Sequence, residues 1–310
     1  MTPTARTVLP TDLVALVSYD GRVYANEAMT LDRIGTHDSP HPLETAFEQW
    51  FSFATGRHTW ISVKGPTLRG LASARKRGSK LVWEIDCLIN AEESGDGVLL
   101  SLLDQVTEAA GRSGALRIFV RLPGGSTTED GASRCAFAPY RHEQVYRRDI
   151  DEPEKFDVPE GLRRRGKSDL YPVFQLYNAE VPANIRRYEA ATFAEWTATI
   201  EHIGRATQYV YERDGRVVGW LRVAGDGDIG RFDLLGYPEA LDDLIDAALA
   251  KLSNRRSAYV LVPQYQAGLR ERLEARGFQA GDEFTTLSRR TVHPVKEART
   301  APAVVRTTFG

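Results

Sequence analysis

The sequence has very little cysteine, only Cys87 and Cys135 among 310 residues. That number excludes a disulfide-built scaffold and a cysteine-rich zinc site. Long apolar runs are also missing, since stretches such as residues 98–103 fall far short of the roughly 20 residues that cross a bilayer. The N-terminal stretch MTPTARTVLP lacks the apolar core of a signal peptide. We therefore expect a cytoplasmic protein with no membrane association.

An excess of one charge is absent too. The 40 basic and 42 acidic residues leave a net charge of −2. Because broad nucleic-acid binding requires a basic surface, we expect no nucleic-acid partner. Hydrophobic residues make up 42% and charged residues 26% of the chain, as in soluble globular proteins. At roughly 100–200 residues per domain, the length predicts about two domains.

Two similar series of elements follow one another along the chain. The first half has strand-like segments HTWISVKG, TLRGLASARKR and KLVWEIDCLI, a loop, an amphipathic helix over 98–110, and then ALRIFVRLP, a small helix and AFAPYRHEQVYRRD. The second half has the hairpin TQYVYERDGRVVGWLRVAG with an Asp-Gly turn, a strand over 229–236, and a helix that begins near Pro238. SAYVLVPQYQ, the helix AGLRERLEARGF and the strand EFTTLSRRT complete it.

Matching landmarks in the two halves lie at nearly constant distance. The offset is 149 positions for Gly70 and Gly219, 147 for Asp86 and Asp233, and 141 for Phe137 and Phe278. A slowly shrinking offset predicts two copies of one fold. We place an N-terminal module at 1–150, a charged linker at 151–169, a C-terminal module at 170–292 and a tail at 293–310.

The order of elements resembles the GCN5-related N-acetyltransferase (GNAT) fold. Glu92, Gly95 and Gly97 form Glu-x-x-Gly-x-Gly where this family has Gln/Arg-x-x-Gly-x-Gly/Ala. AFAPYRHEQVYRR and GFQAGDEFTTLSRR resemble the family's terminal Gly-Phe and strand, and VFQLYNAEVPANIRRYEAATFAEW resembles the opening of the second module in tandem GNAT-like proteins. The resemblance implies an α/β (α+β) protein of two tandem GNAT-like modules, each a mixed central sheet flanked by helices.

The resemblance also implies acetyl-CoA as cosubstrate and no metal. The pantetheine arm would bond to the strand backbone at Cys87, Leu88 and Ile89. The pyrophosphate would lie at the loop and the next helix N-terminus, where unpaired N–H groups favour anions; the residues there are Glu92, Gly95, Asp96, Gly97 and Val98. Position 92 is acidic here, unlike in the family. The second half has GYPEALDD at this place, so we expect it not to bind coenzyme A.

Acetyl transfer to an amine requires a base and a proton donor for the leaving thiolate. The resemblance gives the role of base to Glu84 and Asp86. Their spacing of two places both carboxylates on one face of a strand, opposite Trp83, Ile85 and Cys87.

The tyrosine that usually serves the family as proton donor is missing. Counting back from each terminal phenylalanine leads to Ala132 and Leu273, neither of which carries a proton to donate. The cluster His37-Asp38-x-x-His41 lacks a visible third metal ligand, which favours a surface loop.

Three functional hypotheses remain open. The first is an acyl-CoA-dependent N-acetyltransferase acting on a small-molecule or peptide amine, favoured by Gly95, Gly97, Glu84 and Asp86. The second is a catalytically inactive binding or scaffold protein, favoured by the missing tyrosines and the acidic loop, in which ESGDG is an ordinary turn and the two carboxylates are merely solvated. The third is an acetyl-CoA sensor. The oligomeric state stays open, a homo-oligomer included.

Overall fold

The computed structural model describes residues 5–9, 12, 25–36, 56–65, 67–91, 96–150 and 155–291. The strands are β1 (Arg6–Thr7), β2 (Arg57–Lys64), β3 (Thr67–Lys76), β4 (Val82–Asn90), β5 (Arg117–Pro123), β6 (Ala138–Asp149), β7 (Leu162–Arg164), β8 (Thr207–Arg213), β9 (Arg216–Asp226), β10 (Ile229–Gly236), β11 (Ser257–Pro263) and β12 (Gln279–Arg290). The helices are α1 (Gly97–Arg112), α2 (Thr127–Arg134), α3 (Leu170–Glu180), α4 (Ala183–Glu189), α5 (Phe193–Thr199), α6 (Leu241–Leu252) and α7 (Ala267–Glu274). The predicted strands and helices are confirmed to within a few residues.

All of these strands belong to one mixed sheet. Its order is β1-β2-β3-β4-β5-β12-β6-β11-β10-β9-β8-β7. The two halves exchange their last strands: β12 pairs with β5 of the first half, and β6 pairs with β11 of the second half. The two mixed sheets implied by the sequence are therefore continuous, and each half is completed by a strand of the other.

Two glycines at matching places in the halves let a helix lie close to the sheet. A Cβ atom at Gly70 of β3 would stand 2.6 Å from Val98 Cγ1 of α1. A Cβ atom at Gly219 of β9 would stand 2.7 Å from Leu244 Cδ1 of α6. Since real Cβ atoms do not approach so closely, a side chain at either position would force its neighbour to shift. The two landmark glycines therefore share a close approach of helix to sheet.

The segment predicted as a linker is partly ordered into the sheet. Within it, Leu162–Arg164 form β7, which pairs with β8 at the sheet edge, and one turn of 3-10 helix covers Lys167–Asp169. Arg163 and Asp169 fix this turn through two hydrogen bonds of 2.7 and 2.8 Å. Arg163 and Asp169, two of the charged residues that suggested a solvated linker, instead form an ion pair at the sheet edge.

Among the described helices, none has the length and apolar character that crossing a membrane requires.

Candidate functional site

Strand β4, predicted to carry the catalytic carboxylates, contains a bulge. Ile85 and Cys87 pair with consecutive residues of β3, so Asp86 is an extra residue between them. A bulge shifts the side-chain alternation by one position. Trp83 and Ile85 pack in the core beneath α1, whereas Cys87 packs with Ile89 in a separate cluster. The prediction that Cys87 shares a face with Trp83 and Ile85 is therefore wrong.

Both carboxylates of β4 are bound by arginines. Glu84 is 3% exposed and Asp86 2% exposed. Arg75 Nε donates to Glu84 Oε1 at 2.7 Å, and Arg77 Nε lies 3.1 Å from Oε2. Arg57 donates to Asp86 Oδ2 at 2.6 Å. Burial raises the pKa of Glu84. The two groups are brought together as predicted, but they are neither solvated nor open to an amine.

The parallel strands β4 and β5 separate early, and the chain itself fills the gap between them. Their pairing ends at Glu84 with Phe119. Beyond that point Leu88 N–H donates to Asn26 Oδ1 at 2.8 Å, and Glu27 N–H donates to the Leu88 carbonyl at 2.9 Å. On the opposite strand, Met29 N–H donates to the carbonyl of Arg121 at 2.9 Å. We call residues 26–29 the strap, because they connect β4 to β5 across the gap.

The strap takes the backbone groups that the resemblance assigned to pantetheine. Both polar backbone atoms of Leu88 are already paired, and Asn26 Nδ2 also donates to the carbonyl of Asp86 at 3.2 Å. A ligand lying along this strand edge would have to displace the strap. The first half as folded therefore does not fit the coenzyme arm at this edge.

Only part of the predicted pyrophosphate loop can be described. Glu92 and Gly95 lie outside the described residues. Gly97 and Val98 form the start of α1, and Asp96 precedes it and pairs with Arg134 of α2. His37 and His41, the histidines of the weak metal-site candidate, also lie outside the described residues, and within the described part no three His, Cys, Asp or Glu side chains form a group that could hold a metal ion.

In the second half, the corresponding gap holds a cavity. Parallel pairing of β10 with β11 ends at Phe232 with Val260. In the described chain, no backbone hydrogen bond joins these strands through an intervening segment beyond that pair. A cavity of about 130 Å³ opens there. Its wall includes Asp233 and Leu235 of β10, Leu261 of β11, Trp196, Trp220 and Tyr265.

Asp233 is a carboxylate of the cavity wall, and its bonds to arginine involve only one of its two oxygens. Arg222 Nε donates to its Oδ2 at 2.9 Å, and Arg222 Nη2 donates to the same oxygen. Its Oδ1 accepts no hydrogen bond from the residues that the structure describes. The side chain is 27% exposed. The sequence signal for this residue is its alignment with Asp86 in the repeat.

A network of buried ion pairs forms part of the cavity wall. Arg121 donates to Glu201 at 2.9 and 2.8 Å and to Glu143 at 2.9 Å. Arg141 contacts Glu143 and Glu189. Burial opposes ionisation of Glu143 and Glu201, but the adjacent guanidinium groups outweigh it and lower the pKa of both carboxyls. Each buried charge of this network therefore has an opposite charge beside it, and removing one partner would leave the other uncompensated.

Tyr265 supplies the proton-bearing group that the predicted positions lack. Ala132 and Leu273 are fully buried in the core, as apolar residues should be. Tyr265 lies just after β11 and contributes to the cavity wall. Burial, and next the charge of Glu189, raise the pKa of its phenol well above 10. No sequence signal marked this tyrosine, because it occupies a loop outside any motif.

The start of α6 is a poor cradle for a pyrophosphate. Pro238 has no N–H group, and the N–H of Ala240 is already donated to Tyr237 O at 2.9 Å. Glu239, Asp242 and Asp243 add negative charge there. This helix start therefore does not fit the diphosphate of coenzyme A, as expected from the sequence.

No family model matches the sequence, and no curated protein matches it either. Solved structures do resemble the fold. A GCN5-related N-acetyltransferase from Sphaerobacter thermophilus is 14% identical, with a TM-score of 0.56 over 94% of this chain and 97% of that chain. A candidate acetyltransferase from Pyrococcus horikoshii is 12% identical, with a TM-score of 0.52 over 94% of this chain and 90% of that chain. The chain therefore has the fold of the GCN5-related N-acetyltransferases, in two modules that share one sheet.

Proposed function

We propose that this protein transfers an acyl group, acetyl in the simplest case, from acyl-coenzyme A to the nitrogen of a small amine. The acceptor binds in the cavity between β10 and β11. One observation carries the proposal: the cavity opens where two parallel strands separate, and its wall contains a carboxylate with a free oxygen and a protonated phenol. Since a fold does not fix a function, these residues carry more weight than the structural neighbours.

Asp233 is the group that would receive the acceptor. An amine arrives as an ammonium ion at neutral pH and must lose a proton before its nitrogen can attack a carbonyl carbon. Oδ1 of Asp233 is free to accept a hydrogen bond from that ammonium, while Arg222 holds Oδ2 and fixes the side chain. The residue therefore orients the nitrogen and accepts its proton.

Tyr265 is the group that would supply a proton to the departing thiolate. A phenol is protonated at neutral pH, and burial raises the pKa of this one further, so the hydroxyl carries a proton. Coenzyme A brings the acyl group as an activated thioester. The chain contributes two oppositely acting proton-transfer groups.

A second candidate function is binding without acyl transfer. Two observations favour it: the strap covers the strand edge of the first half, and the start of α6 is acidic and lacks a glycine loop. In this case the cavity still binds its ligand, but the protein serves as a sensor or scaffold.

Release of free thiol from acetyl-CoA in the presence of an amine panel tests the proposal. We expect Asp233→Asn and Tyr265→Phe each to lower turnover about 10²-fold or more, the usual range for removing a general acid or base. Tyr171→Phe is the matched control, because Tyr171 is 56% exposed on α3 and is not part of the cavity wall. Turnover that survives both cavity substitutions contradicts the assignment.

A Gly97→Trp variant tests which half binds the coenzyme. We expect turnover to persist in it, since Gly97 begins α1 in the half whose strand edge is covered. Loss of acetyl-CoA binding would return the coenzyme to the first half. Amine binding with no thiol release from the wild-type protein would support the binding function instead.

A further inference from the structure

We infer that the gap between β10 and β11 binds a short peptide segment that carries a basic residue, and that the peptide is held by its backbone, as the strap is held in the first half. This ligand goes beyond the proposed function, because it needs no free amine and takes no part in acyl transfer. Three observations support it: the match between the two gaps, the backbone groups that face the second gap, and the charge beside it.

The two gaps lie at matching places of the repeat. In β4, Leu88 pairs with the residue two positions after the landmark Gly70. In β10, Leu234 pairs with the residue two positions after the matching glycine, Gly219. Leu234 is therefore the counterpart of Leu88, whose N–H and C=O groups are both bonded to the strap.

The backbone groups of Leu234 face the second gap. Tyr237 N–H donates to the carbonyl of Val218 at 3.0 Å, which continues the β9–β10 ladder. Because the direction of the polar backbone groups alternates along a strand, the odd-numbered residues of β10 bond to β9 and the groups of Leu234 point away from it. Pairing with β11 has ended at Phe232, so within the described chain Leu234 has no backbone partner on this side.

The facing strand offers a second set of backbone groups. Gln264 N–H donates to the carbonyl of His142 at 2.8 Å, so the even-numbered residues of β11 bond to β6 and the groups of Leu261 point towards β10. Arg121 holds the same place in β5, since each of these two residues stands two positions before the proline that ends its strand. In the first half the Arg121 carbonyl accepts from Met29 of the strap.

A peptide can pair with both strand edges at once. Polar backbone groups that lie away from water cost free energy unless they are paired. The strap shows that four residues, 26–29, suffice to bond to both strands of such a gap, with donating N–H groups two residues apart at Glu27 and Met29. A peptide bound between β10 and β11 would supply N–H and C=O groups to Leu234 and Leu261 in the same way.

The second gap is bordered by acidic groups. Glu239 lies three residues after Gly236, the last residue of β10, and Glu180 ends α3 beside Val181 of the cavity wall. Burial, and next the charge of Glu239, raise the pKa of Glu180, because the two carboxyls lie near one another. Neither has an ion-pair partner among the described residues. A basic side chain of the peptide would be attracted to this pair, whereas an acidic one would be repelled.

Calorimetric titration with blocked peptides tests the inference. The probe is acetyl-Val-Arg-Val-Arg-Val-amide, whose β-branched residues favour an extended backbone and which has no free amine to accept an acyl group. We expect it to bind at least tenfold more tightly than its counterpart with every backbone nitrogen methylated, and at least tenfold more tightly than acetyl-Val-Glu-Val-Glu-Val-amide. Equal binding of the methylated peptide would overturn the backbone pairing, and equal binding of the glutamate peptide would overturn the charge assignment. No binding of the arginine peptide at millimolar concentration overturns both.

Amide hydrogen exchange and one variant locate the bound peptide. The peptide should slow exchange at Leu234 and leave Leu88 unchanged, since Leu88 N–H is already bonded to Asn26. Glu239→Gln should weaken binding of the arginine peptide at least threefold. Asp228→Asn, on an exposed turn before β10, is the control and should leave binding unchanged. Exchange at Leu234 that does not respond to bound peptide contradicts the inference.

Peptide binding and acyl transfer can be told apart. Binding of the arginine peptide without thiol release from acetyl-CoA would leave the inference standing while the proposed function fails. Thiol release by a protein that binds none of the peptides would leave the proposed function standing while the inference fails.

Discussion

Glu201 is the carboxylate on which separate parts of the chain converge, and replacing it should destabilise the protein strongly. Arg77, which follows β3, and Arg121 of β5 both donate to it, and Leu31 N–H donates to Oε1 at 2.8 Å. Its side chain is 5% exposed. The substitution Glu201→Gln keeps the shape but leaves two buried guanidinium charges without this counter-charge.

Breaking a buried pair on one side costs about 3–5 kcal/mol. With an unfolding entropy of about 2.1 cal/mol/K per residue, 310 residues give roughly 0.65 kcal/mol/K, so the melting temperature should fall by roughly 5–8 °C. Glu108→Gln is the control. Glu108 and Arg112 form a pair whose side chains are 57% and 65% exposed, and its loss should cost less than about 0.5 kcal/mol.

The pH dependence has a definite sign. Burial opposes ionisation of Glu201, but Arg121 and Arg77 outweigh it and hold the pKa well below its usual range. A lowered folded pKa stabilises the protein above the unfolded value of about 4.3, and this contribution is lost as the pH falls towards the folded value. Urea unfolding should show the full difference between wild type and Glu201→Gln at pH 7 and a smaller one in acid. A difference below 1 kcal/mol at pH 7, or one that grows in acid, would refute the reasoning.

Three further predictions concern packing, the strap and a buried thiol. Gly219→Ala should lower stability by about 1–3 kcal/mol in thermal unfolding, because the new Cβ would stand 2.7 Å from Leu244; an unchanged melting temperature would show that α6 moves freely. Asn26→Ala should cost about 1–3 kcal/mol and speed amide exchange at Leu88, whose N–H loses its acceptor; protection equal to wild type would show that the strap does not depend on this side chain. Burial raises the pKa of Cys87 to about 12, so iodoacetamide should leave it unmodified at pH 8 until urea unfolds the chain; rapid labelling of the native protein would contradict its burial.

The sequence by itself determined the local elements, because their signals lie within a few residues. Asp214 and Gly215 join β8 to β9 with φ values of 51° and 70°, the left-handed geometry that an Asp-Gly turn predicts. The helical spacing of Leu99, Leu102 and Val106 buries one face of α1 as expected. The resemblance to the GNAT fold, drawn from the order of these elements, is confirmed by the structural neighbours.

The tertiary structure alone decided which strands and side chains meet. The exchange of β6 and β12 depends on pairing between strands more than 100 positions apart, for which hydrophobic alternation carries no register. The sequence of β4 likewise carries no sign of the bulge at Asp86, so the prediction for the face of Cys87 was wrong.

Contacts between distant residues also explain why the candidate site lies in the second half and not, as the sequence predicted, in the first. Glu84 and Asp86 have the right spacing, but the arginines that neutralise them come from β2 and β3, and the strap that covers Leu88 comes from some 60 positions upstream. Asp233 stands at the matching place in the wall of a cavity, and no segment of the described chain bridges β10 and β11 there. Residue type and spacing identified the carboxylates that could serve in a site. Hydrogen bonds between distant parts of the chain decided which of these carboxylates a ligand can reach.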